Sequence, residues 1–185
     1  CEQCGFKSNE IKGGGAIPKF GTRITLTIRG PEDLGREVLK SDTAGIAIPE
    51  LELELQEGGL DGVYSTVEGL LKKMKDRLES ANPFGSGDSA KKQHLTNDGG
   101  DFSSPSPNSV RYIDFLGKLN DMGEGLFFPF TLIISDPRSN SFVGPIPSDA
   151  IALSLQAEKE ESGKCYDDYE DPGMDLEEYE RSHLQ

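Results

Sequence analysis

The sequence predicts a mainly β domain, curled as barrels and jelly rolls are, with a helical hairpin inserted into it. Three observations carry that prediction. Residues 46–55 alternate apolar and acidic or small side chains, with Ile46 and Ile48 on even positions and Leu51, Leu53 and Leu55 on odd ones. Strict alternation puts one set on a core face and the other in water. The change of phase falls at Pro49-Glu50, so a bulge or corner is expected there, where the strand turns and changes partner. Second, Thr22–Ile28 is a clean strand, with Ile24, Leu26 and Ile28 inward and Arg23, Thr25 and Thr27 outward. Third, two helical stripes flank a long polar loop, and structured sequence resumes after it.

Taken in order, the chain opens on Cys1-Glu2-Gln3-Cys4-Gly5. A Cys-x-x-Cys turn followed by Gly brings two thiolates to one side of a tetrahedral metal ion. A redox pair is the alternative use of such spacing, but no βαβ pattern follows it. Gly13-Gly14-Gly15 breaks the short segment that comes next. Neither a Lys-Ser/Thr pair nor a helix pattern follows it, so it reads as a hinge rather than a phosphate loop. After the strand at 22–28, Pro31 begins a short helical turn, and Arg36–Lys40 leads as a strand into the alternating run. Gly58–Gly62 is a turn. Ser65 or Thr66 caps a helix whose stripe is Val67, Leu70, Leu71, Met74 and Leu78, stopped by Asn82-Pro83.

Residues 84–108 carry no periodic pattern and read as a mobile loop; His94 lies in it. A second helix, Ser109–Met122, has Val110, Ile113, Leu116 and Leu119 at helical spacing and Gly123 at its end. Phe127–Ser135 is apolar enough to be a central strand covered on both sides. With Phe142–Ile146 it reads as a hairpin, whose polar tip is Asp136–Ser141. Ile151–Leu155 alternates as a last short strand. From residue 158 to 185 the net charge is −8, more than half the total, which reads as a solvated acidic tail. Tyr166, Tyr169, Leu176 and Tyr179 are the residues in it that could dock on the body or on a partner.

Composition bounds the function. Hydrophobic residues make up 34% of 185, and adding the 22 glycines brings the apolar share to about 46%, that of an ordinary globular chain. A net charge of −14 opposes direct binding of nucleic acid, whose phosphates need Lys and Arg. It suits a basic protein partner. No apolar run is long enough to span a membrane. Three cysteines, two of them paired in sequence, suit a reducing cell interior and a metal pair. An enzyme of the metal-dependent jelly-roll type needs clustered histidines; His94 and His183 are far apart, so no catalytic residue is assigned. Beginning with Cys rather than Met, the chain reads as a piece of a longer protein.

Several runs, in their order and spacing, resemble the ZPR-type zinc-finger proteins of eukaryotes. They are Cys1–Gly5, Asn9-Glu10, Gly13–Gly15, Gly21–Leu26, Leu39–Thr43, Ile48–Glu52, Thr66–Leu71, and Asp136-Pro137 with Asn140–Phe142. The resemblance covers roughly residues 1–155. It implies a double-stranded β-helix, or jelly-roll-like, domain with an inserted helical hairpin, preceded by half of a zinc ribbon. Asn82–Phe84, Gly87–Ser89 and the acidic tail resemble the second, C-terminal, of the family's two modules. The implied layout is a half ribbon at 1–12, a β-helix domain at 13–157 with the hairpin at about 65–123, and an acidic tail at 158–185. Cys1 and Cys4 are then zinc ligands, with two more ligands expected upstream.

By the same resemblance the function is in protein synthesis. The family binds translation elongation factor one-alpha, a GTPase, and acts as its folding chaperone, in cytoplasm and nucleus. In animals it is also linked to growth-factor receptor tails and survival-motor-neuron complexes. A general zinc-ribbon interaction scaffold in nucleo-cytoplasmic signalling is the alternative, and neither reading is an enzyme. Exposed positions in the matching runs are the candidate partner contacts: Asp42, Glu50 and Glu52 beside the alternating strand, and Asp136, Arg138 and Asn140 on the polar tip.

Overall fold

Strand β1 (Phe20–Ile28) lies between two neighbours, and its alternating apolar pattern buries one face and leaves the other open. Ile24, Leu26 and Ile28 are buried on one face, while Arg23 is exposed on the other. The computed structural model describes residues 18–81, 107–148 and 171–181, the side chains of 107–109 excepted. The remaining elements are α1 (Pro31–Leu34), β2 (Glu37–Lys40), β3 (Gly45–Ile48), a 3₁₀ turn (Pro49–Leu51), β4 (Leu53–Leu55) and β5 (Val63–Thr66). They continue with α2 (Val67–Ala81), α3 (Pro107–Gly123), β6 (Phe130–Asp136), β7 (Phe142–Val143) and β8 (Met174–Glu180).

The strands form two antiparallel sheets. One has five strands in the order β4-β3-β6-β1-β8, and the other has three, β5-β2-β7. Both sheets and both long helices feed a single hydrophobic core. The chain leaves the small sheet after β2 for β3 and β4 of the large one, returns for β5, comes back through the two helices to β6, and crosses again to β7. This is the jelly-roll arrangement, in which successive strands are shared between two packed sheets.

The phase slip at Pro49 has a simple structural cause. The chain folds back through the 3₁₀ turn, and β3 pairs with β4 as Ile48↔Leu53 and Ile46↔Leu55. Antiparallel partners whose numbers sum to an odd value put even positions of one strand and odd positions of the other on one face. The expected corner is thus a tight hairpin, with β6 on the far side of β3. Glu52 closes the turn in the left-handed region, at φ 52°.

Helix α2 follows its sequence pattern. Thr66 Oγ1 accepts from the Gly69 N–H at 3.2 Å, the capping bond expected of Thr at that place. Val67, Leu70, Leu71 and Met74 are buried and Leu78 packs partly. Helix α3 runs back along it, since Gly123 lies beside Leu71, Lys75 Nζ donates to Asn120 Oδ1 at 2.7 Å, and Tyr112 Oη donates to the Leu78 carbonyl at 2.7 Å. Only the C-terminal half of α3 reaches the core, through Leu116, Leu119 and Met122. Val110 and Ile113, expected in the same stripe, are about half exposed, because they lie opposite the last turn of α2, past the core.

Three further expectations change. β6 is central, between β3 and β1, but only Phe130, Leu132 and Ile134 of its apolar residues are buried; its other face is half open. It is not a hairpin partner of β7, which pairs with β2 in the other sheet, so Asp136–Ser141 is a crossover. Residues 174–180 are not a free acidic tail. They pair with β1 over seven positions, Phe20↔Glu180 to Leu26↔Met174, and form the sheet's edge. The strand suggested at 151–155 lies outside the described residues.

Besides its pairing with β1 and the packing of Met174, β8 is held by a buried ion network at its entry. Arg36 is 1% exposed and is paired with Asp33 at 2.9 Å and with Asp171. Burial alone would lower the Arg36 pKa, but the two carboxylates more than offset it and hold it above its usual range. Asp171 Oδ1 also accepts from the Gly173 N–H at 2.8 Å, Thr27 N donates to the Gly173 carbonyl at 2.8 Å, and Arg29 donates to the Pro172 carbonyl at 3.1 Å. The segment entering β8 is therefore tied to β1, α1 and the start of β2.

Candidate functional site

Two runs that stood out in the sequence, Leu39–Thr43 and Asp136–Phe142, meet at the end of the sandwich. Lys40 sits on the inner row of β2, opposite Val63, and has no exposed surface. Its Nζ donates to the carbonyls of Ser41 at 2.8 Å and Leu60 at 2.7 Å, so it closes the β2–β3 crossing onto the loop before β5. Burial pushes its pKa down, and the nearby Asp136, Asp42 and Asp61 carboxylates partly resist.

Asp136 ends β6 beside it and is 1% exposed. Its Oδ2 accepts from Ser41 Oγ at 2.8 Å, Ser141 Oγ at 2.7 Å and Asn140 N at 2.9 Å. Its Oδ1 accepts from Thr43 Oγ1 at 3.0 Å and Arg138 N at 2.9 Å. Burial would raise this carboxyl, but those donors hold it below the usual carboxylate range. Ser41 N donates to Ser141 Oγ at 3.0 Å, which joins both crossovers directly. This constellation holds two sheet crossings together, and the carboxylate faces inward.

The candidate contact residues therefore separate. Asp42, Asp136, Arg138 and Asn140 are gathered at the end of the large sheet where β3 begins and β6 finishes. Glu50 and Glu52, both exposed, lie at the other end, a strand of four residues away, roughly 13 Å. Asp136 has its oxygens engaged by the crossover. Asp42 is half-buried, with Oδ1 enclosed and accepting no hydrogen bond among the described residues. Arg138 and Asn140 carry exposed side chains on backbone N–H groups bound to Asp136. Cys1 and Cys4 lie outside the described residues, and among those described no group of three or more His, Cys, Asp or Glu side chains is placed to hold a metal ion.

Sequence reasoning did not single out the outward face of the five-stranded sheet. There a groove of about 520 Å³ is lined by Arg23, Ala47, Glu54, Glu57, Ser135 and Tyr179, with Gly45 at its floor. Register explains it: Gly45, Ser135, Arg23 and Glu177 form one cross-strand row, and Ala47 lies between Glu54 and Ile133 in the next. Small side chains in the middle of both rows leave the face concave. Tyr179 leans over Gly21, where any Cβ would meet its ring at 2.5 Å. Arg23 lies 5.7 Å from that ring's centre and 3.9 Å from Glu177. Burial raises the Tyr179 hydroxyl pKa, with the Glu57 and Asp136 charges adding to it. The outward alternation of β1 and β3 was the available signal; the contribution of β8 was not visible without its pairing.

By class, then, this is a jelly-roll domain with inserted helices, a crossover locked by one buried aspartate, and a polar outer face. The chain belongs to the ZPR1 family: the family's model of its jelly-roll domain matches residues 32–185, β8 included. Relatives agree over nearly the whole chain. Zinc finger protein ZPR1 of mouse is 37% identical over 94% of this chain and 34% of its own length, and that of human 36% over the same shares. The zinc finger chaperone zpr1 of Schizosaccharomyces pombe is 37% identical over 98% of this chain and 32% of its own length. The chain thus spans about a third of the curated relatives it matches.

Proposed function

We propose that this chain is the binding module of a chaperone that engages translation elongation factor one-alpha and assists the folding of that GTPase. The observation that carries the reading is the 37% identity, over 98% of this chain, with a relative named as a zinc finger chaperone. The net charge of −14 supports it, since an acidic surface speeds encounter with a basic partner. On this reading the module binds rather than catalyses, and it works in cytoplasm and nucleus. Cys1 and Cys4 supply two thiolates of a zinc site whose other two ligands come from upstream sequence.

The test is retention of purified elongation factor one-alpha on immobilised chain. Retention that weakens with added salt is expected, and no retention at low salt contradicts the proposal. Charge reversal at Glu50 and Glu52, set against reversal at Arg138, tells which end of the sheet takes part. Metal analysis of the same preparation is expected to give substoichiometric zinc, because binding energy comes from a completed shell. Tight one-to-one zinc in the monomer contradicts the shared-site reading.

A further inference from the structure

We propose that the groove on the outer face of the five-stranded sheet is a docking site for a basic, extended segment of a partner protein. The proposal rests on the reading of this chain as a protein-interaction domain. The groove crosses every strand of the sheet, from Glu54 on β4 to Tyr179 on β8. Four inter-strand spacings amount to roughly 19 Å, the reach of about six extended residues. Its floor is Gly45, Ala47 and Ser135, so an incoming backbone can approach the sheet closely.

Charge selects the occupant. Glu54 stands on β4, and Glu57 follows it near the Tyr179 hydroxyl. On β8 the exposed Asp175 and Glu177 share the outer face with Tyr179. Two cations stand near, Arg23, which is matched by Glu177, and Arg181 beside Tyr179, so the carboxylates Glu54, Glu57, Asp175 and Glu177 remain in excess. A phosphate-bearing ligand meets net repulsion here, whereas Lys or Arg side chains find carboxylates on β4, after it and on β8, with an aromatic ring beside them. Beside Ile46 and Leu55 the lining is more polar than apolar, which suits charged side chains better than an apolar small molecule.

The test is fluorescence anisotropy with a labelled peptide of about ten residues alternating Lys or Arg with Ser. The wild-type chain is expected to bind it saturably, and more weakly in higher salt. The double variant Glu54→Lys, Glu57→Lys and the charge-neutral Ala47→Phe, which fills the floor, are each expected to weaken binding by about tenfold or more. Glu32→Lys with Glu124→Lys makes the same change in net charge at exposed positions away from the groove, and is expected to weaken binding by less than about threefold. Circular dichroism checks that each variant is folded. No binding by the wild type, equal weakening by the control pair, or unchanged binding by both groove variants overturns the proposal. A chain that retains elongation factor one-alpha but shows any of those results keeps its functional reading and loses the groove. A chain that binds the peptide through the groove but not the elongation factor loses the named partner alone.

Discussion

Asp136 shows what a single residue contributes here and how a sequence presents it. Five donors from two chain segments converge on its two oxygens, so it is the acceptor that two crossovers share. Asp136→Asn keeps the shape but turns an amide toward groups that donate. Destabilisation of roughly 2–4 kcal/mol is expected in urea unfolding. The acid limb should change with it. The folded carboxyl lies below its unfolded range, so its contribution is present above the unfolded value, near pH 4, and is lost as pH falls through the folded one. The wild type should therefore lose stability below about pH 4 more steeply than Asp136→Asn; parallel acid limbs contradict that. From sequence, Asp136 was legible as a turn residue before Pro137. Its burial was not, because the donors Ser41 and Thr43 lie far back in the chain and nothing local announces them.

At the scale of elements, periodicity served where one face is buried and one wet. β1, β3 and α2 were legible for that reason, down to the Thr66 cap. β5 was missed because Val63–Thr66 is four residues long and runs directly into α2. β8 was missed because its side chains are nearly all exposed, so it carries no core pattern. Backbone pairing and the Arg36 network hold it instead. Asp171→Ala leaves the buried guanidinium with Asp33 alone and should cost about 3–5 kcal/mol. Replacing Arg36 by Met at the same time should recover part of that loss, since the buried guanidinium is gone and the Asp33 carboxylate keeps the Arg29 N–H. A double variant as unstable as the sum of the singles contradicts this. Hydrogen exchange of the β1 amides facing β8 should also quicken in Asp171→Ala.

Over the whole molecule, the jelly roll came from strand count, the corner and the family-matching runs together. Which strands share a sheet did not, because the crossovers after β2 and β6 depend on contacts between distant residues. The same limit applies to the groove proposed as a docking site. Glu50 and Glu52 stood out for their place in a patterned run, yet they sit on a hairpin turn away from the groove, which only the assembled sheet creates. The outer face of the large sheet is the surface proposed to bind a protein partner. Backbone hydrogen exchange of the chain, with and without elongation factor one-alpha, tests it most directly. Slowed exchange centred on residues 53–57 and 174–180 is the predicted result. Protection confined to the α2–α3 helices or to the Pro49–Leu51 turn, with the sheet unchanged, would contradict it.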